Sequence, residues 1–311
     1  MTATKDRTLA AAGFISVYAF IIGFTDNYVR VIAENAGLWQ FHLTRSIVAL
    51  SVLGLVAMLF RRRVRPVNLR AVVARSAIHG LAMVLYFGAL AFLPVALVAA
   101  GLFTAPIFVL LISRFAYGHA IGPVRIFAVA IGFLGVILVL GPEAMSGASI
   151  AALLPVIAGA MYAMGNIATR EWCPEESAET LLAGFFTALL LIGLIGMTIL
   201  TLHPIAVPAG ADGFLQRGPV WPNGAFYFWT VVQAVGSLLG VGMMIRAYQI
   251  TDASRASVLE YIILPASAFW SYLIWGQTLQ PMAVLGMGLI VAAGSMIALR
   301  ARAQEAPLAA N

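Results

Sequence analysis

The chain has 311 residues, 62% of them hydrophobic and 10% charged, with a formal net charge of +6. Soluble domains carry about 25% charged and about 45–50% apolar residues, so a water-soluble globule is excluded and lipid is the expected solvent. The basic excess sits in short loops rather than along an aromatic-lined helical stripe, which points to topology signals and away from nucleic acid as a partner.

A helix needs about 20 mostly apolar residues to cross a bilayer. Runs of that length fall near 9–30, 38–60, 70–92, 95–115, 122–140, 149–170, 179–202, 225–247, 253–274 and 280–299. They are too long and too evenly apolar for barrel strands. The predicted class is therefore all-α, a polytopic membrane protein with ten transmembrane helices. Lys5 and Arg7 precede the first run as they would in a signal peptide, but the run from Leu9 is a full span and no soluble domain follows it, so a retained first helix is expected.

Breaks separate the runs. Arg61-Arg62-Arg63-Val64-Arg65-Pro66 closes the second and Pro94 divides the third from the fourth. Gly141-Pro142-Glu143 ends the fifth, and Trp172-Cys173-Pro174-Glu175-Glu176 ends the sixth. The stretch 203–223, rich in Pro and Gly, reads as the longest polar loop. Cys173 is the chain's one cysteine, so neither an internal disulfide nor a cysteine metal cluster is expected; it reads as a bystander thiol in a loop.

Basic residues orient the bundle. With a cytoplasmic N-terminus, the inner loops and span ends hold Lys5, Arg7, Arg61, Arg62, Arg63, Arg65, Arg70, Arg75, Arg114, Arg125, Arg170, Arg246, Arg255, Arg300 and Arg302. Only Arg30 and Arg217 fall outside, and Arg45 lies within a span. This bias puts both termini in the cytoplasm, as expected for a multi-pass protein of the inner (plasma) membrane.

An internal repeat links the halves. Tyr117-Gly118-His119 answers Trp275-Gly276-Gln277, Pro123 answers Pro281, and mid-span Pro106 answers Pro265, at an offset of about 158 residues. Asn27 in span one is echoed by Asn166 in span six. Five spans per half is odd, so the second half must be inserted upside down, the inverted-repeat design in which substrate binds near the midplane between halves. The expected layout is a tail (1–8), a first repeat (9–141), a linker (142–148), a second repeat (149–299) and a tail (300–311).

The ordered landmarks resemble the EamA-type members of the drug/metabolite transporter superfamily. Phe24-Thr25-Asp26-Asn27-Tyr28-Val29 is similar to the family's Trp-Gly-Ser-Asn-Phe-Val, and Arg45-Ser46 matches its usual second-helix arginine. Gly88-Ala89-Leu90-Ala91-Phe92-Leu93-Pro94, Pro106-Ile107-Phe108-Val109 and Gly132-Phe133-Leu134-Gly135 follow its order. Arg246-Ala247-Tyr248 and Leu259-Glu260-Tyr261 are similar to one branch, which includes S-adenosylmethionine and riboflavin carriers. The resemblance implies two five-helix repeats and a small-metabolite substrate. At Gly118-His119 and Gly276-Gln277 the chain departs from the family's Gly-Glu, which removes an acid at both span ends; His119 reads as a solvated loop histidine or a replacement titrating group.

Ionisable groups inside a span cost about 2.5–3.5 kcal/mol or more at its centre, so each is a functional candidate. Asp26 and Arg30, four apart in span one, read as a neutralising pair, with Arg45 of span two in reach of Asp26. Asp26, Arg30 and Glu260 are the coupling or gating candidates. Glu260 is placed to take up a proton or to pair with Arg246 or Arg255. Asn27, Arg45, His79, Tyr86, Asn166, Gln233 and Tyr261 are the substrate-binding candidates, with interhelical hydrogen bonding as the competing role for the polar ones. Tyr86, Tyr162, Tyr248, Tyr261 and Trp270 are suited to stacking on a planar ligand or to the membrane's aromatic belt.

The function expected is a secondary carrier working by alternating access on a small flavin-, nucleoside- or amino-acid-like metabolite, with protons as a candidate coupling ion. A channel or accessory subunit is the alternative. No phosphate-binding Gly-x-x-x-x-Gly-Lys motif, His-Glu-x-x-His or Gly-x-Ser-x-Gly is present, so neither ATP-driven pumping nor intramembrane catalysis is expected, and no metal or cofactor. Stripes of small residues are compatible with a monomer or a homodimer.

Overall fold

The computed structural model describes residues 7–89, 95–141, 153–278 and 280–305. Lys5, Pro94, most of the Gly88–Pro94 motif and the 142–148 linker lie outside them. All regular structure among the described residues is helical. Span one comprises α1 (Thr8–Asp26) and α2 (Val29–Asn35), span two α3 (Leu38–Leu59) and span three α4 (Leu69–Ala89). Span four comprises α5 (Val95–Leu102) and α6 (Ala105–Phe115), and span five is α7 (Pro123–Leu140). The second half runs α8 (Leu153–Glu171), α9 (Ala178–Leu202) and α10 (Gly224–Ile250), then α11 (Ala253–Leu259) with α12 (Ile263–Trp275), and α13 (Pro281–Glu305).

Nine of these units are long and apolar enough to cross a membrane among the described residues. The tenth, α8, carries Asn166, Thr169, Arg170 and Glu171 and is less apolar. It packs among α4, α5, α6 and α10. The ten-span membrane architecture read from hydropathy therefore holds.

Pairing within the bundle follows the repeat. Helix α1 packs on α10 and α12; five spans on, α8 packs on α4 and on α5–α6. Helices α3 and α9 pair with each other, as do α7 and α13, so each joins its own counterpart. Residue contacts agree. Gly135 lies against Ile290 and Gly132 against Ala293, and an offset of 158 residues interchanges these two contacts. Gly118 and Gly276 both turn the chain with positive φ, 67° and 65°, a conformation glycine adopts without a Cβ penalty.

Three spans are broken near their middles or outer thirds. In span four the helix stops at Leu102 and restarts with Pro106 in the first turn of α6, where its missing N–H is harmless. In span nine the break is a 3-10 turn, Glu260–Ile262, just ahead of Pro265. Tyr261 donates its hydroxyl to the Phe103 carbonyl at 3.2 Å, so the break in one repeat supplies a donor to the break in the other. Span one breaks at Asn27 without proline or glycine. The Asn27 side chain donates to the Gly23 carbonyl at 2.7 Å and to the Ser267 carbonyl at 3.2 Å, taking up a carbonyl of the helix ladder.

Both ends of the described chain lie at one end of the bundle. The backbone N–H of Arg7 donates to the Ile250 carbonyl, and α13 runs antiparallel to α7, with Gly286 beside Leu138 and Ala293 beside Gly132. At the opposite end, the loop 203–223 is ordered rather than merely polar. Arg217 donates to the Ala33 and Ala36 carbonyls at 2.7 and 3.3 Å, capping the end of α2, and Trp39 donates to the Leu215 carbonyl at 2.9 Å.

Candidate functional site

A cavity of about 240 Å³ lies inside the bundle, walled by side chains from both halves. Its polar groups fall into three tiers. The tier farthest from the termini joins α1, α3 and α10. Gln233 donates its amide N–H to Asp26 Oδ1 at 2.8 Å, and its amide oxygen accepts from Ser237 at 3.0 Å. Arg45 reaches that same oxygen only at 3.5 Å and His42 Nδ1 at 3.5 Å. Its guanidinium lies 4.9 Å from the centre of the Phe41 ring and 5.9 Å from that of Phe186, while its Nε has no hydrogen-bond partner.

The middle tier gathers around the break in span nine. Glu260 accepts from the Tyr162 hydroxyl at 3.2 Å and from Asn166 Nδ2 at 3.4 Å, and it also hydrogen-bonds the Tyr248 hydroxyl. Asn166 donates to the Tyr248 hydroxyl at 3.1 Å, and its Oδ1 lies 3.1 Å from His79 Nε2. Gly165 allows this approach, since a Cβ there would fall 2.3 Å from His79 Nδ1. In the tier nearest the termini, Arg75 is 1% exposed and donates to Thr169 Oγ1 at 3.0 Å and to the Leu181 carbonyl at 3.3 Å.

The lining becomes more exposed in one direction. Arg75 and His79 are buried, Met83, Tyr86 and Arg45 are half-buried, and Asp26 is exposed. Beyond Arg75, the end that carries the termini is tied shut. Asp252 accepts from Arg125 of α7 at 2.9 Å and from Arg170 of α8 at 3.3 Å, with Arg255 of α11 at 3.7 Å. Arg170 also donates to the Thr251 carbonyl, Arg125 to Ser254 Oγ at 2.8 Å and Trp172 to the Tyr117 hydroxyl at 2.8 Å. Thr8 hydrogen-bonds Thr251 at 2.9 Å.

Of the residues singled out by sequence, Asp26, Arg45, His79, Tyr86, Gln233, Glu260 and Tyr261 line the cavity. Asn166 stands behind it, holding His79, Tyr248 and Glu260 together. Asn27 is spent on backbone carbonyls at the α1 break and lines nothing. Arg30 requires correction: the helix breaks between it and Asp26, and its side chain, 74% exposed, pairs with Glu34 at 3.7 Å. Asp26 and Arg45 likewise form no direct ion pair; Gln233 lies between them. Glu260 meets tyrosines and an asparagine rather than Arg246 or Arg255. His119 is not simply solvated, since its Nε2 approaches Glu171 at 3.8 Å. Cys173 is in a loop but buried, at 1% exposure.

Sequence reasoning missed Arg75 and Tyr18 as lining residues. Arg75 looked like one more inner-face arginine, and the signal that separates it is depth, for it lies in the second turn of α4, past Arg70. Tyr18 is one apolar-looking ring in an apolar helix and carries no sequence signal.

Residues 9–141 match the EamA-like transporter family. The likeness covers the first five spans, α1 to α7. The chain is also similar to a riboflavin transporter of Rhizobium johnstonii, 26% identical across 85% of this chain and 80% of the relative. A pseudopaline exporter of Pseudomonas aeruginosa is 24% identical across 70% of this chain and 71% of its own length. A solved crystal structure shares the fold over 93% of this chain and 98% of its own, with a TM-score of 0.73 and 18% identity.

Proposed function

We propose that this EamA-type chain is a secondary carrier that moves a small metabolite through its central cavity by alternating access. The units 9–141 and 149–299 would rock about the cavity, in a bacterial-type inner membrane with both termini cytoplasmic. One observation carries the reading: ionisable groups gathered where two helices break, tied shut at one end of the bundle and progressively exposed toward the other. Broken helices at a buried polar site are the recurring substrate-site architecture of inverted-repeat carriers. A channel would need a continuous path, and the Asp252 cluster closes one end. The relatives' names favour a riboflavin-like or pseudopaline-like cargo, and Asp26 and Glu260 are the candidates for proton coupling.

Purified protein in proteoliposomes tests this. Riboflavin and a pooled metabolite extract should each be offered with and without an imposed pH gradient. Uptake saturable in at least one metabolite is expected, and accumulation that responds to the gradient would support proton coupling. Asp26→Asn and Glu260→Gln should each cut the flux severely while the fold survives; wild-type rates in both would refute these roles. Ion conductance without saturable flux would replace the carrier with a channel.

A further inference from the structure

The cavity contains an electrostatic anomaly. Two carboxylates and two guanidiniums line it, Asp26 and Glu260 against Arg45 and Arg75, yet neither acid lies within ion-pair distance of either base. Asp26 takes its hydrogen bond from Gln233, and Glu260 takes its own from Tyr162, Tyr248 and Asn166. Arg75 donates to a threonine hydroxyl and a backbone carbonyl. Every partner is neutral. Leaving charges unpaired inside a membrane protein is costly, and such groups ordinarily pair with one another.

Arg45 is the least satisfied of the four. A guanidinium presents five N–H donors in a fork that matches a carboxylate. Here both terminal nitrogens have contacts only at 3.5 Å, and the buried Nε has none. The aromatic rings of Phe41 and Phe186 hold it in place without supplying an acceptor. Glu260, by contrast, is a carboxylate fixed by hydroxyl and amide donors at the helix break.

Resting on the carrier reading, we propose that the substrate is a zwitterion, its carboxylate received by Arg45 and its cationic group by Glu260. Asp26, through Gln233, positions the amide that flanks Arg45. The remaining wall, with Tyr18, Phe103, Tyr162 and Phe185, accepts an apolar or aromatic body beside the two poles.

Three probes of one shape separate the charges: L-tryptophan carries both, L-tryptophanamide only the cation, and indole-3-propionate only the carboxylate. Calorimetry on the full-length purified chain should rank the zwitterion at least about tenfold tighter than either analogue, as expected when a buried charge is left unmatched. Arg45→Gln should erase the margin over tryptophanamide while keeping that over indole-3-propionate, and Glu260→Gln should do the reverse. A purely structural role for either residue would instead weaken all three probes together. Equal binding of the three probes to the wild type, binding of none, or uniform weakening in the variants overturns the proposal. If a variant fails to fold, the wild-type ranking still decides. Flux assays keep the two readings apart: charge-selective binding without transport sinks the carrier and leaves the zwitterion site, whereas saturable transport with charge-blind binding does the opposite.

Discussion

Replacing Asp252 by alanine should unlock the end of the bundle that carries the termini. This carboxylate accepts from Arg125 at 2.9 Å and Arg170 at 3.3 Å, and the three side chains are 33%, 17% and 20% exposed. Hydrogen bonds to charged groups contribute about 1.5–3 kcal/mol each when well buried. Partial solvent screening brings these two to about 1–2 kcal/mol apiece, or about 2–4 kcal/mol together. Arg170 and Arg255 belong to the second half with Asp252, so only the bond to Arg125 of α7, about 1–2 kcal/mol, joins the two halves. A state favoured by that amount loses about 5- to 30-fold in population. The assay places Met244→Cys, a buried cavity position, in a Cys173→Ser background and exposes only the terminus-bearing face to a membrane-impermeant thiol reagent. Labelling should be slow in the parent and fast with Asp252→Ala, and Asp252→Asn should fall between. Unchanged labelling and an unchanged unfolding midpoint would refute the assignment of Asp252 as the tie.

Tyr261→Phe should cost about 1 kcal/mol of stability, measured by denaturation in detergent, because the Phe103 carbonyl loses a donor inside the helix break. Gly286→Ala should cost about 1–3 kcal/mol, since a Cβ there falls 2.6 Å from the Gly135 carbonyl oxygen. Gly13→Ala, with nothing within 4 Å of the new methyl group, is the matched control and should show no loss. Cys173 should resist maleimide at neutral pH until the chain unfolds, because burial pushes its thiol up to about 11 and leaves little thiolate. Rapid labelling of the folded protein would contradict that placement.

Hydropathy and proline positions carried most of the architecture, because in lipid a span must be both apolar and fully hydrogen-bonded along its backbone. Pro106 and Pro265, which serve as repeat landmarks in the sequence, stand beside the breaks in spans four and nine. The break at Asn27 had no such marker: it depends on Ser267, 240 residues away, accepting from the asparagine side chain. The i,i+4 spacing therefore suggests a shared face for Asp26 and Arg30, whereas Arg30 belongs to a separate short helix. Residue type drew attention to Glu260 and Arg45, since charge inside a span is expensive. Their actual neighbours could not be read, because Tyr162, Tyr248 and Gln233 reach them from other helices and only packing decides which face each helix turns inward. Arg75 was misjudged for a related reason, as depth along a helix does not reveal that Thr169 and the Leu181 carbonyl wait across the interface.

The bond between Tyr261 and Phe103 joins positions 158 residues apart, so it links a residue to its own image in the other half. Suppose the opposite-facing form arises when the halves trade shapes. A contact between unrelated positions is then exchanged for a different one, but a contact between images is carried onto itself. The distance between the two residues' backbones is then the same before and after the exchange. Tyr261 and Phe103 therefore mark a fulcrum, where the seesaw can be pinned without stopping it.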